Sequence, residues 1–160
     1  MARPAQGPGR RAAHRGPGPL RAARAASLQK ALTADRRRVR SGSPFEETIG
    51  FCRAVRVGDR VIVSGTAPIW PDGSVDSDPY VQAKRCFDII ATALAEAGSS
   101  LDDVVRTRMF ITDAAYGDSV GKAHGEAMRG ARPAATMVVV KGLLDERWKV
   151  EIEAEALTSS

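Results

Sequence analysis

The segment Lys149–Leu157, KVEIEAEAL, alternates strictly: Val150, Ile152, Ala154 and Ala156 point one way, Glu151, Glu153 and Glu155 the other. A period of two is the signature of a β-strand, so this segment is read as the last strand of a sheet with one apolar side. Three carboxylates on one strand face repel one another. At least one of them is therefore expected to face a cavity, a subunit boundary or an arginine, against the plainer reading of a solvated strand face.

The other elements follow from similar patterns. Phe51–Val57 and Arg60–Ser64 are β-prone runs joined by Gly58-Asp59, a hairpin turn signal. Asp78-Pro79 starts a helix, with Ala83, Cys86, Phe87, Ile90, Leu94 and Ala97 at helical spacing and Gly98 closing it. Gln82, Lys84, Arg85, Asp88 and Glu96 fall mostly on its other face. Asp103–Thr112 alternates as a strand, placing Val105, Thr107, Met109 and Ile111 together and Val104, Arg106, Arg108 and Phe110 opposite. Tyr116–Arg129 reads as a second helix held by packing, since Gly117, Gly121 and Gly125 each cost it about 1 kcal/mol relative to alanine. Ala134–Lys141, with consecutive valines, reads as a strand covered on both faces. The order β-β-α-β-α-β-β predicts an α+β fold, a single sheet with two helices on one face. The uncovered face, expected to carry Val139, then calls for a partner subunit, so a homo-oligomer is expected.

Charge divides the chain at Pro44. Residues 1–44 hold ten Arg, one Lys and one acid, a net of +10, which leaves −5 for residues 45–160 of a total of +5. The first segment is rich in Gly, Pro, Ala and Arg and poor in large apolar side chains, so it is expected to be a disordered basic tail. A solvated tail or a misplaced translation start is preferred over a nucleic-acid arm or a transit segment, and nucleic acid is not expected as a partner. Residues 45–160 form one domain, and 43% apolar residues suffice for its core. No apolar run is long enough to span a bilayer or to act as a secretory signal, so no membrane association is expected. Cys52 and Cys86 lack metal or redox spacing and are read as reduced thiols of a cytoplasmic protein. His124 stands alone beside Gly125, and neither a metal site nor a Ser-His-acid triad has its parts. No phosphate loop and no cofactor are implied.

The run VGDRVIVSGTAP, the segment LAEAGSSLDDVVRTRMFITD, and the closing ARPAATMVVV with WKVEIEAEAL resemble the RidA/YjgF family of imine and enamine deaminases over about residues 45–157. The resemblance implies a chorismate-mutase-like α+β fold and a homotrimer, with clefts at the subunit boundaries that bind small 2-imino or 2-oxo acids. The family arginine that holds the substrate carboxylate falls on Ala135. Such a two-pronged contact is worth about 2–4 kcal/mol, and a methyl group supplies none of it. Arg132, three residues earlier, is weighed as a substitute against a surface charge. The family tyrosine falls on Phe51, which keeps the ring and loses the hydroxyl. Glu151 matches the glutamate that positions the hydrolytic water. Gly65 and Met137 match positions whose backbone N–H groups line the cleft, where Ser64 and Thr136 add hydroxyls. Plainer roles stand beside these: a turn glycine for Gly65, core packing for Met137 and Phe51.

Two functions are carried forward. One is hydrolytic deamination of reactive imine or enamine intermediates, or of a less acidic substrate, with Glu151 positioning water. The other is a non-catalytic trimer that binds a small metabolite or a partner protein in the same clefts.

Overall fold

The computed structural model of the protein describes residues 36–159. Its frame is a sheet of six strands in the order β1-β2-β3-β6-β4-β5, with β1 at Arg36–Val39, β2 at Ala54–Val57, β3 at Arg60–Thr66, β4 at Val104–Ile111, β5 at Ala134–Val139 and β6 at Val150–Leu157. All pairings are antiparallel except β4 with β5, which run parallel across the intervening helix. Single-sheet α+β architecture is thus what the sequence patterns predict, with one strand and one short helix more than expected.

Both additions lie at the start. The strand β1 falls inside the segment 1–44 expected to be disordered, and it pairs along its length with β2, from Arg36 opposite Val57 to Val39 opposite Ala54. Secondary structure is thus present before residue 45, while residues 1–35 of the expected tail lie outside the described residues. An edge strand needs only main-chain pairing and one buried side chain, here Val39, so its arginines gave it the composition of a tail. Helix α1, Pro44–Ile49, is a third helix beside the two expected. Ser43 accepts from the Phe45 N–H, Pro44 starts the turn, and Gly50 at φ +82° closes it in the left-handed region.

Helix α2, Pro79–Glu96, begins as predicted, with Asp78 accepting from the Tyr80 N–H at 2.8 Å. It ends in a Schellman arrangement: Ser99 N–H reaches Leu94 O, Gly98 N–H reaches Ala95 O, and Gly98 takes φ +76°. Arg56 on β2 then donates to the Ala97 and Gly98 carbonyls at 3.0 and 2.7 Å, a cation at the negative end of the helix. Cys86, Phe87, Ile90 and Leu94 enter the core with Val61, Val63, Ile152 and Ala154. Helix α3, Gly117–Ala127, buries Val120 and Ala123 against the same layer.

Three side-chain placements correct the sequence reading. Gln82, assigned to the polar face of α2, is wholly buried: its amide donates to Asp76 O and Arg147 O and accepts from Lys149 N–H. A buried amide with its polar groups paired is compatible with a core position, which hydrophobic periodicity does not reveal. On β4 a bulge between Val104 and Arg106 reverses the expected alternation, so Val104 joins Thr107, Met109 and Ile111 in the core and Val105 is 42% exposed. The valine strand β5 is an edge, not a strand covered on both faces: Val138 is 42% and Val139 56% exposed. Val139 also lies opposite Ile111, which is buried, and so belongs to the helix side and not to the bare face. The bare face is real, and the aliphatic side chains it exposes include Ile62, Val138 and Leu157.

Candidate functional site

The bare face carries the row of glutamates, and the structure separates them. Glu153 receives Arg108 Nη1 at 3.1 Å, and Glu155 receives Arg60 Nη2 at 2.6 Å with Arg108 at 3.5 Å. Glu151 has no ion-pair partner among the described residues. Its carboxylate instead rests against Gly65, where a β-carbon would overlap Oε1. The bulge of β3 between Val63 and Thr66 makes this fit, because it turns Gly65 toward β6 at a point where any side chain would displace the acid.

Glu151 is half-buried, and this burial, followed by the nearby charge of Glu153, raises its pKa above the ordinary carboxylate range, with Arg53 opposing. Hydrogen bonding to Arg60 holds Glu155 the other way, below that range. One strand face thus presents, side by side, an unpaired acid whose pKa is raised by burial and an ion-paired acid whose pKa is lowered.

Arg53 is the member that sequence reasoning missed. Its Nη1 donates to Gly65 O at 2.9 Å and to Thr66 Oγ1 at 3.0 Å, so the guanidinium fixes from one side the glycine that Glu151 touches from the other. No sequence signal distinguishes it from Arg56 or Arg60 nearby. Ser64 has its hydroxyl committed to the backbone, donating to Cys52 O and Arg53 O, which staples the segment after α1 onto β3. Phe51 lies in that segment, ahead of β2 and not within it, and is 37% exposed.

The remaining candidates stand apart from this cluster. Ala135, Thr136 and Met137 lie on β5, separated from β6 by β4, so in one chain they do not share a cleft with Glu151. Ala135 and Met137 oppose the buried Thr107 and Met109 and so point to the helix side, where Met137 packs on the core. Thr136 opposite Arg108 faces the bare side. Arg132 sits in the turn before β5 at φ +47°, a left-handed conformation costing a non-glycine residue about 1 kcal/mol or more. It lines an open groove with Lys122, Glu126 and Arg129, away from Glu151. His124 Nε2 meets Thr107 Oγ1 at 2.8 Å and its ring packs edge-on against Phe87, so it closes a buried polar seam; burial lowers its pKa. No group of three or more His, Cys, Asp or Glu able to hold a metal occurs among the described residues. No helix among them is long and apolar enough to cross a membrane.

A poised glutamate over a bulge glycine, on the bare face of a mixed sheet backed by two long helices, places the chain in a class that comparison identifies. Residues 43–158 match the family model described as endoribonuclease L-PSP. The chain belongs to this family, also known as YjgF/RidA. A crystal structure from Mycobacterium tuberculosis, described as a member of the YjgF/YER057c/UK114 family, superimposes with a TM-score of 0.72 at 40% identity, covering 78% of this chain and 100% of that one. An uncharacterised protein of Streptomyces coelicolor is 46% identical over 121 residues, 75% of this chain and 90% of its own length. The 2-iminobutanoate/2-iminopropanoate deaminase of Escherichia coli is 30% identical over 111 residues, 67% of this chain and 86% of the deaminase.

Proposed function

We propose that the protein hydrolyses imines, or the enamines that tautomerise to them, with Glu151 as the residue that holds and activates water. The observation that carries this reading is the isolation of Glu151: of the three strand carboxylates it is the one with no ion-pair partner among the described residues, and it is half-buried and raised in pKa. In the step it performs, water oxygen attacks the imine carbon while the carboxylate takes the water proton, and the C=N electron pair moves to nitrogen. The carboxylic acid returns that proton to nitrogen to give the carbinolamine; transfer of the hydroxyl proton to the amino nitrogen then lets the C–N bond break and ammonia leave as the carbonyl forms, so one water is consumed and one ammonia released.

The β5 segment is proposed to complete the cleft from a neighbouring copy in a homotrimer, since within one chain it lies two strands from Glu151. With Ala135 in that segment the completed cleft lacks the guanidinium that would grip a carboxylate, which favours uncharged imines over 2-imino acids. The experiment compares wild type with Ala135→Arg on a neutral ketimine and on 2-iminobutanoate, each freshly generated. Wild type is expected to favour the neutral imine, and the variant to gain about tenfold or more on the acid, the worth of one charge-assisted contact. No acceleration of either imine by either protein would remove the proposal.

A further inference from the structure

On the helix side of the sheet, under the β1 edge, a cavity of about 260 Å³ is lined by Arg40, Arg53 and Arg85 together with Ser41, Thr92 and Glu96, the rest of its wall being aliphatic. Guanidinium groups gathered on one small cavity repel, and each is costly to desolvate unless an anion or a set of acceptors meets it. Here the protein supplies few acceptors. Among the described residues, Arg53 spends Nη1 on Gly65 and Thr66, its buried Nε has no partner, and Nη2 meets no acceptor. Arg85 uses Nε on Ile69 O and lies 5.5 Å from the Trp70 ring, which orients the group and leaves both terminal nitrogens without an acceptor among the described residues. Among the described residues Arg40 reaches only Glu47, at 3.7 Å and with both side chains exposed. The Ser41 and Thr92 hydroxyls donate to Glu46 Oε1 and Asp88 O, and among the described residues neither hydroxyl oxygen accepts from an arginine.

Near the three cations stand Glu96 in the wall, Glu47 beside Arg40, and Glu46, which holds Ser41 and whose charge acts on Arg53. The surplus is of hydrogen-bond donors. We propose that this cavity is a binding site for a small oxyanion, a phosphate or carboxylate group, held by Arg40, Arg53 and Arg85. The planar guanidinium matches an oxyanion edge with two parallel N–H···O contacts, and the aliphatic wall leaves room for a short organic body behind the charged group. The site is distinct from the Glu151 cluster, on the other side of the sheet, with Arg53 lining one and bracing the other.

The test titrates the full chain by calorimetry with inorganic phosphate and, separately, with acetate, using chloride at matched ionic strength as the blank. The proposal expects saturable millimolar or tighter binding of at least one, and the preferred anion tells a phosphoryl from a carboxylate ligand. Arg85→Gln and Arg40→Gln are each expected to weaken it about tenfold, the worth of a charge-assisted contact. Arg40→Gln disturbs only an exposed pair, so it keeps the test valid should Arg85→Gln loosen the loop at Trp70. The Arg53 Nε–H resonance should shift on titration. No saturable binding of either anion, or binding equal in wild type and Arg40→Gln, which would put the anion on other basic residues, overturns the proposal.

Discussion

The two faces of the sheet are built on opposite plans. The helix side carries the core: Ile90, Leu94, Ile152 and Val61 are fully buried, and the wholly buried Gln82 and Thr107 are hydrogen-bonded within the chain. The bare side carries charges paired along the surface by Arg60 and Arg108, exposes Ile62 and Val138, and leaves Glu151 unpaired. Stability and chemistry are thus assigned to different faces of the same strands. The alternation of β6 divides them residue by residue, with Ile152 serving one plan and Glu151 the other.

That division is open to direct attack. The largest effect is expected from truncating the covered face: Ile90→Ala should cost about 2–5 kcal/mol in denaturant unfolding, whereas Ile62→Ala on the bare face should cost under about 1 kcal/mol to the isolated fold. Equal losses would break the comparison. Next come the places where each face tolerates no change of shape or partner. Gly65→Ala drives a methyl into Glu151 and should destabilise by about 1–3 kcal/mol, with loss of imine hydrolysis beyond what the stability change explains. Gln82→Leu keeps volume but strips Lys149 N–H and two carbonyls of their partner, for about 1–3 kcal/mol and no change in the pH dependence of activity.

The smallest expected effect is the pH dependence of stability. Because its folded pKa is raised, Glu151 binds its proton more tightly in the folded chain than in the unfolded one. Its contribution therefore falls as pH rises from the ordinary carboxylate value through the raised one. Glu151→Gln should melt at a higher temperature than wild type above that window, and the gap should close below it. A gap that widens in acid would mean that the carboxylate is stabilised, not strained, by its surroundings.

Much of this division was legible in the sequence, because it rests on period. The β6 alternation gave Glu151 its face, and the Asp78-Pro79 start and Gly98 stop of α2 describe its ends within a residue. What escaped were features that no periodicity records. The bulge at Val105 exchanges faces by one inserted residue, and the register of β5 on β4 alone decides that Val139 belongs with Ile111. The strand β1 is held by main-chain pairing beneath a run of arginines. At the site, Glu151, Gly65 and Ser64 were identified as candidates, but their arrangement was not: that Glu151 alone lacks a partner depends on where Arg60 and Arg108 fall in three dimensions. Arg53 gave no signal, since its importance comes from reaching the β3 bulge twelve residues away.

The most direct test of the account is the rate of carbonyl formation from a neutral ketimine by wild type and Glu151→Gln at neutral pH, with the folded state of each verified. The account predicts a loss of about a hundredfold or more in the variant, the usual contribution of a positioned base. A variant as fast as wild type would contradict it.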